Sequence, residues 1–401
     1  MKDRPGVSSL GSNNQKPKEG TMRKAILRLK SIVLDQVLTM AFELSDKNWK
    51  VIFSHGGKNR FYNVYPDESR TRVPEIVARA KKKFGLPEDC RVFSCYEAGR
   101  DGFWVHRFLV SLGIENLVID PASIEVPRKH RRTKTDRVDA EKLVGLLIRH
   151  LRGEEKNVLK VVAVPSEKDE DEMRLHRERE KCVSERTRLR NRIRSLLVTQ
   201  GVRMGSWKEV NAAYIERVLK WNGEKLGPKL QDALKRNIAR MEFVDAQIKE
   251  LDQEIRKFVN DKDPCEAVKK MQKLHGLKGV GIQGARILVA EFFGWRTFDG
   301  GKQVGALAGL TGCPYASGEM EREQGISKSG NYRIRTLMVE MAWSWQRFQP
   351  HSRLSRWFKE RFGQGRRHRR IGIVALARKL LVALWRYVEF GIVPEGAVVV
   401  R

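Results

Sequence analysis

The pattern of hydrophobic and polar residues has a period of two from residue 37 onward, which is typical of a β-strand whose successive side chains lie on opposite sides. In VLTMAFEL the apolar residues of one side are Leu38, Met40, Phe42 and Leu44. The strand pattern recurs in WKVIF at 49–53 and, after the turn HGGKNR, in FYNVY at 61–65. Because short links favour antiparallel neighbours, these segments predict a three-stranded meander.

Helical and strand patterns then alternate along the chain. VPEIVARAKKKFG and DGFWVHRFLVSLG read as helices, RVFSCYEA and NLVID as strands, and RVDAEKLVGLL as a last helix. The order β-β-β-α-β-α-β-α predicts a mixed sheet with helices packed on it. It is the order of the ribonuclease-H-like (RuvC-like) fold, although other α/β folds begin in the same way. We assign such a domain to residues 35–154, preceded by a basic flexible arm at 1–34.

Two long helical patterns follow, over about 168–198 and 229–259. The second has apolar residues at three- and four-residue steps, which is a heptad-like seam. Its members are Leu234, Ile238, Met241, Val244, Ile248, Leu251, Ile255 and Phe258. We predict a linker and coiled-coil helical hairpin over 155–262, paired either within one chain or between subunits. The Arg-rich run RTRLRNRIR at 186–194 fits a phosphate contact or a solvated surface equally well.

The segment 263–392 is predicted to be a mostly helical domain. KLHGLKGVGIQGARILVAEF has two helical halves around GLKGVG, the shape of a helix-hairpin-helix. Its glycines let backbone N–H groups approach a phosphate, so Lys278, Gly279 and Gly281 are candidate nucleic-acid contacts, a weak signal alone. The run LTGCPYASGEMEREQGISKSGN is predicted as a long polar loop before a helix that begins near Asn331. The tail at 393–401 shows no pattern, and we expect it to have no structural role.

The charge of the chain indicates a polyanionic partner. Lys and Arg number 79 against 49 Asp and Glu, a net charge of +30, which points first to nucleic acid and otherwise to a merely basic surface. There is no apolar run of the ~18 residues that a membrane span needs, and no apolar signal core at the N-terminus. Five cysteines without a C-x-x-C pair argue against a disulfide framework and a zinc site. A cytoplasmic protein without membrane contact is expected.

Four carboxylates are predicted to converge at one edge of the sheet. Glu43 ends the first strand and Glu97 ends the fourth, and these strands are neighbours in the predicted fold. Asp136 and Asp139 open the helix whose apolar face packs on that sheet. Crowded carboxylates raise one another's pKa values, and a divalent cation removes this repulsion. Mg²⁺ accepts carboxylate oxygens and keeps positions open for phosphate oxygens, so the pattern predicts a magnesium site.

The same aspartates have an explanation without a metal. Asp136 can cap the helix and Asp139 can interact favourably with the helix dipole in the first turn. Just upstream, Arg131, Arg132 and Lys134 offer a basic approach for a phosphodiester.

Taken together, these motifs resemble a known family. E-L-S, C-Y-E-A-G-R-D-G, D-P-A-S and R-x-x-K-T-D-R-V-D-A-E-K-L resemble the acidic domain of the DEDD-type insertion-sequence transposases. These are recombinases guided by a bridge RNA encoded in their own mobile element. G-V-G, A-L-A-G-L-T, S-G and G-I-S-K-S-G-N-x-x-I-R resemble the transposase domain of the same family. The resemblance covers about residues 35–390 in the family's order.

The resemblance implies that the metal ligands are Glu43, Glu97, Asp136 and Asp139. The family usually has Asp where this chain has Glu43, whose extra methylene would also suit ligation through a water. Ser317, in PYASGE, is implied as the nucleophile, acting with the metal in a composite site.

By the same resemblance, attack of Ser317 on a phosphodiester would give a phosphoserine link and a free 3′-hydroxyl. A Ser-Gly pair is also a common turn, and Ser327 and Ser329 are nearby rivals. Lys328 and Arg333, together with Arg335, are candidate phosphate clamps.

These inferences predict a transposase, a DNA recombinase that depends on Mg²⁺ and is guided by RNA. Its partners would be double-stranded DNA ends, a structured guide RNA and further copies of itself, as a dimer of dimers. The alternatives are a hydrolytic endonuclease that cuts branched DNA with the acidic residues alone, and a non-enzymatic architectural DNA-binding protein.

Overall fold

The computed structural model describes residues 36–124, 136–154, 159–317 and 320–400, without the side chains of Asp136, 314–317 and 320–324. The chain divides into two compact units between Val164 and Pro165, and each is described by itself. No helix in these ranges is long and apolar enough to cross a membrane.

The first unit contains a five-stranded mixed sheet in the order β3-β2-β1-β4-β5. Its strands are β1 (Val37–Glu43), β2 (Trp49–His55), β3 (Lys58–Val64), β4 (Arg91–Glu97) and β5 (Glu115–Ile119). β1, β2 and β3 pair antiparallel, whereas β4 pairs parallel with both β1 and β5. The predicted meander and mixed sheet are therefore confirmed. Outside these strands, Ile119 forms an isolated antiparallel bridge with Val161.

Helices cover both faces of this sheet. They are α1 (Ser69–Phe84), α2 (Trp104–Ser111) and α3 (Asp136–Arg152). α1 and α2 share one buried cluster with the even-numbered apolar residues of β1, such as Met40 and Phe42. α3 shares a second cluster with the odd-numbered Val37 and Ala41. The period-two pattern thus separates the two cores, as successive strand residues point to opposite faces.

The second unit begins with an antiparallel helical hairpin. It consists of α4 (Glu167–Val198), the short α5 (Ala212–Arg217) and α6 (Pro228–Val259). The predicted seam of α6 is buried, apart from the partly buried Phe258. Arg179 binds Asp252 at 2.6 Å and Arg186 binds Asp245 at 3.0 Å. A step of seven residues toward the C-terminus of α4 thus corresponds to a step of seven residues toward the N-terminus of α6, so the two helices run antiparallel. The helices therefore pair within one chain.

Six further helices follow the hairpin. They are α7 (Glu266–His275), α8 (Ile282–Leu288), α9 (Gly301–Leu307), α10 (Tyr332–Phe348), α11 (Arg353–Phe362) and α12 (Arg366–Phe390), and α8 continues into a π-helical turn, Val289–Phe293. Trp345 of α10, Phe292 of the π turn and Leu380 of α12 are completely buried in one core. The predicted cap at Asn331 is confirmed, since its side chain accepts from the N–H groups of Arg333 and Ile334.

The predicted polar loop before α10 is partly wrong, because it contains a β-hairpin. Strand β6 (Gly312–Ser317) pairs antiparallel with β7 (Met320–Ile326). The second strand, MEREQGI, has too few apolar residues to show a hydrophobic alternation, so the sequence pattern hides it.

The expectation that the C-terminal tail has no structural role is wrong. Val399 forms a β-bridge with Leu277, and the N–H of Lys278 donates to the carbonyl of Val398 at 3.0 Å. The buried side chain of Gln349 donates to the carbonyls of Lys278 and Val398 and accepts from the N–H of Val398. The tail therefore satisfies backbone groups of the GLKGVG segment that would otherwise need water.

Candidate active-site residues

The two predicted glutamates lie side by side at one end of the sheet. In the parallel pair of β1 and β4, each residue lies beside the residue 54 positions later, from Val37 with Arg91 to Phe42 with Tyr96. The next step of this register brings Glu43 beside Glu97. Both glutamates are the last residues of their strands.

These glutamates belong to the face of the sheet that α3 covers. Glu43 continues the odd-numbered series of β1, and Glu97 continues the series of Phe93 and Cys95, which packs against α3. The Sγ of Cys95 donates to the carbonyl of Leu143 in α3 at 3.5 Å. The helix therefore lies over β4 two residues before Glu97.

The first turn of α3 lies over the same face. The guanidinium of Arg137 stands 4.3 Å above the ring of Phe61. Phe61 pairs with Ile52, and Ile52 pairs with Ala41, two residues before the end of β1. The turn that carries the predicted aspartates is thus within reach of the strand ends.

Asp139 has a neighbouring cation. The Nζ of Lys142 is 3.1 Å from its carboxylate, which is about three-quarters buried. Among the side chains that the structure describes, no group of three or more His, Cys, Asp or Glu could hold a metal ion. The side chain of Asp136 and the predicted basic residues Arg131, Arg132 and Lys134 lie outside that part of the chain.

The loops that leave this end of the sheet are tied together. Arg100, after β4, binds Asp46, after β1, at 2.8 Å. The hydroxyl of Tyr96 donates to the carbonyl of Gly102 at 2.9 Å. These contacts hold the backbone beyond the strand ends in place without using a predicted ligand.

In the second unit, Ser317 is the last residue of β6 and pairs with Met320. It lies at the end of the hairpin farthest from Gly312, which pairs with Ile326. The position of its hydroxyl lies outside the described side chains. The other two serines lie at the opposite end, which we call the hairpin root, residues 309–311 and 327–331. There the hydroxyls of Ser327 and Ser329 are 3.2 Å apart.

The hairpin root is closely packed around two glycines with positive φ. Gly309 has φ 66°, and a Cβ built on it would lie 2.0 Å from the carbonyl oxygen of Ser329. Gly330 has φ 90°, and its Cβ would lie 2.2 Å from the carbonyl oxygen of Leu307. Neither position has room for any side chain, so the close approach of the two backbone segments requires glycine.

We therefore expect Gly309→Ala to lower the free energy of unfolding by at least ~2 kcal/mol, through strain at positive φ and overpacking. Thermal denaturation followed by circular dichroism measures the effect. The control is Gly205→Ala, where a Cβ has open space and φ is not positive. That variant should change the stability by less than about 1 kcal/mol. Equal melting temperatures for the two variants would contradict the expectation.

The predicted phosphate-binding cations differ in their surroundings. Lys328 is exposed and has φ 57°, a conformation uncommon outside glycine. The guanidinium of Arg335 donates to the carbonyl of Lys328 at 2.8 Å, and that of Arg333 donates to Glu180 at 2.7 Å. Arg335 thus supports the hairpin root directly, whereas Arg333 joins the start of α10 to α4.

A buried carboxylate beside the root was missed by the sequence analysis. Glu291, in the π turn, is 3% exposed. Its oxygens accept from His176 at 2.9 Å, from Arg177 at 2.7 and 2.9 Å, and from the side-chain amide of Asn331 at 3.1 Å. The only signal in the sequence is an acid inside the apolar run ILVAEFF.

Glu291 is ionised in this environment. Burial by itself raises the pKa of its carboxyl, but the hydrogen bonds from His176 and Arg177 outweigh burial and hold the pKa well below its usual range. The same contact raises the pKa of Arg177. The network is therefore a buried ion pair, whose disruption from one side leaves an uncompensated charge.

The GLKGVG segment lies between α7 and α8, as predicted. Gly279 has φ 89°, and a Cβ added to it would lie 3.0 Å from the Cβ of Phe348. Its carbonyl accepts from the hydroxyl of Ser344 at 2.8 Å, and Gly281 is the N-cap of α8. Lys278 is exposed beside them.

Comparison with known proteins identifies the family. A family model described as "Transposase IS116/IS110/IS902 family" matches residues 271–355, and one described as "Transposase" matches residues 46–200. A putative transposase of Sinorhizobium fredii, y4rJ, is 38% identical over 379 residues, which cover 90% of this chain and 93% of the relative. The chain belongs to the IS116/IS110/IS902 family of transposases.

More distant relatives of this transposase agree. The transposase for insertion sequence element IS1111A of Coxiella burnetii is 26% identical over 72% of this chain and 74% of its own length. Transposases are enzymes that cut and rejoin DNA, so the predicted family and enzyme class are confirmed. Of the candidate residues, Glu97, Asp136 and Asp139 fall within the match over residues 46–200, and Ser317 and Glu291 fall within the match over residues 271–355.

Proposed function

We propose that this transposase cuts and rejoins DNA strands through Ser317, with Mg²⁺ held by Glu43, Glu97, Asp136 and Asp139. The observation that carries the proposal is the register of β1 and β4. It brings Glu43 and Glu97 together at the carboxyl end of the sheet, on the face covered by the helix of the two aspartates. This is the arrangement expected of a ribonuclease-H-like domain.

The four residues fit a hard cation. All are carboxylates, the oxygen donors that Mg²⁺ prefers, and a site with few protein ligands leaves positions for phosphate oxygens. The bound ion supplies charge neutralisation and polarisation of the scissile phosphate. The chain's own contribution is to hold Glu43 and Glu97 on a rigid sheet edge, and Asp139 on a helix packed against it.

Ser317 would act as the nucleophile. Its Oγ loses a proton and forms a bond to phosphorus as the bond to the 3′ oxygen breaks. The departing 3′ oxygen takes up a proton, so a phosphoserine and a free 3′-hydroxyl are left. A 3′-hydroxyl from another strand then attacks the phosphoserine, and the Oγ leaves. One phosphodiester is consumed and one is formed, so rejoining needs no outside energy.

The charge of the chain supports the proposed partners. A net charge of +30 suits double-stranded DNA together with a structured guide RNA. Lys278, Gly279 and Gly281 would contact nucleic acid in the manner of a helix-hairpin-helix, with Lys328 at the hairpin root. Synapsis of two element ends would require several copies, for which we propose a dimer of dimers, acting in the cytoplasm.

A suicide substrate tests the proposal. The full-length protein is incubated with Mg²⁺, the RNA encoded beside its gene and element-end DNA nicked near the cleavage site. A covalent protein–DNA adduct whose peptide contains phosphorylated Ser317 is the expected result. Free 5′-phosphate ends without an adduct would instead establish a hydrolytic nuclease, and binding without cleavage an architectural protein.

A further inference from the structure

We infer that Glu291 is a positioning residue for strand transfer, which sets the hairpin root through a hydrogen bond to Asn331. The inference rests on the proposed function, in which the hairpin carries the nucleophile. It concerns a buried carboxylate outside both groups of predicted catalytic residues.

The carboxylate of Glu291 is held rigidly. It lies in the π turn Val289–Phe293, a wider turn of the kind that recurs at functional sites. One carboxylate oxygen accepts from His176 and Arg177, and the other accepts from Arg177 and Asn331. With both oxygens bound in a buried environment, the carboxylate has one orientation.

The side-chain amide of Asn331 has a fixed orientation. Its side-chain oxygen accepts from the N–H groups of Arg333 at 3.0 Å and Ile334 at 3.2 Å, while its side-chain NH₂ donates to Glu291. A helix cap needs only the oxygen, so Ser or Asp would serve equally well there. The amide is needed only for the bond to Glu291.

A series of backbone hydrogen bonds connects Asn331 to the hairpin. The N–H of Asn331 donates to the carbonyl of Leu307 at 2.8 Å, that of Lys328 to Gly309 at 3.2 Å, and that of Ser327 to Thr311 at 2.8 Å. These bonds continue directly into the pairing of Gly312 with Ile326. A shift of Asn331 is therefore transmitted along a paired backbone to the strand that ends at Ser317.

A second ion pair provides a matched control. Glu172 of α4 binds the buried Arg286 of α8, and so joins the same two parts of the unit as the bonds from His176 and Arg177 to Glu291. Glu172 has no hydrogen bond to the hairpin root in the described residues. If both carboxylates only stabilise the fold, removal of either one should change the rate of strand transfer to a similar extent. If Glu291 positions the hairpin, only its removal should lower that rate.

The experiment exchanges the polarity of the bond. Glu291→Gln places two amides opposite each other, and Asn331→Asp places two carboxylates opposite each other. The double variant again has an amide opposite a carboxylate, with the two groups exchanged and the total charge unchanged. We expect each single variant to lower the single-turnover rate of strand transfer by roughly 10- to 100-fold, as for a slightly misplaced reacting group. The double variant should recover most of the rate, and Glu172→Gln should keep it. DNA affinity should be unchanged throughout.

Asn331→Ser covers the case in which a charged variant fails to fold. It keeps the capping oxygen, introduces no charge and lacks only the amide donor, so we expect the same loss of rate with a nearly unchanged melting temperature. A wild-type rate for Asn331→Ser, or a double variant that folds but is no faster than the single variants, overturns the inference. If the proposed role of Ser317 is wrong, strand transfer will instead persist in Ser317→Ala, which is a separate result.

Discussion

Replacement of Ser317 by alanine should abolish the covalent protein–DNA adduct and lower strand transfer by roughly 10³-fold or more, since the nucleophile itself is removed. DNA binding should be retained, because the substitution removes a single hydroxyl from the last residue of a hairpin strand. Single-turnover assays on element-end DNA, with adducts separated on denaturing gels, measure both quantities.

Two other serines serve as controls for this result. Ser327 and Ser329 lie at the hairpin root, where their hydroxyls contact each other. Ser327→Ala and Ser329→Ala should keep the adduct, with at most a modest loss of rate from the lost hydrogen bond. An adduct that persists in Ser317→Ala and disappears in Ser329→Ala would move the nucleophile to the root and refute the assignment.

The acidic residues should show the second large effect. Glu97→Gln and Asp139→Asn each remove one negative charge from the proposed metal site, and we expect strand cleavage to fall by about 10²-fold or more. Chelation of divalent ions should abolish cleavage in the unmodified protein, and added Mg²⁺ should restore it. Strand cleavage and DNA affinity are measured in parallel, and affinity should persist.

Asp46→Asn is the matched control for the acidic residues. Asp46 is a carboxylate that follows β1 at the same end of the sheet, but it is ion-paired with Arg100. Its exposed pair contributes little to stability, so the variant should cleave DNA at nearly the normal rate. If Asp46→Asn were as inactive as Asp139→Asn, general electrostatics rather than a defined ligand set would explain the losses.

The first unit could be predicted because its apolar strand segments are short and alternate with helical segments in a recognisable order. The alternation in VLTMAFEL assigned Met40 and Phe42 to one face, and the structure separates them from Ala41 as expected. The neighbouring positions of Glu43 and Glu97 followed from strand order, because both residues end parallel strands. Local pattern and topology therefore sufficed for this edge.

The second unit was predicted less completely, because its key contacts are distant in sequence and polar. The sequence of strand β7, MEREQGI, has charged residues at three consecutive positions, so no hydrophobic alternation marks it. Glu291 is 115 residues from His176 and 40 from Asn331, and no local pattern links them. The same holds for Gln349, which is buried by a C-terminal tail that has no regular periodicity of its own.

The length of the helical hairpin sets a minimum length for any DNA duplex that would contact both of its ends. Each of its long helices has 32 residues. At 1.5 Å per residue such a helix extends about 48 Å. A duplex rises 3.4 Å per base pair, so this distance corresponds to about fourteen base pairs, more than one full turn. A straight DNA duplex that touched both extremities of the hairpin would have to be at least that long, and shorter DNA duplexes could reach only one of them.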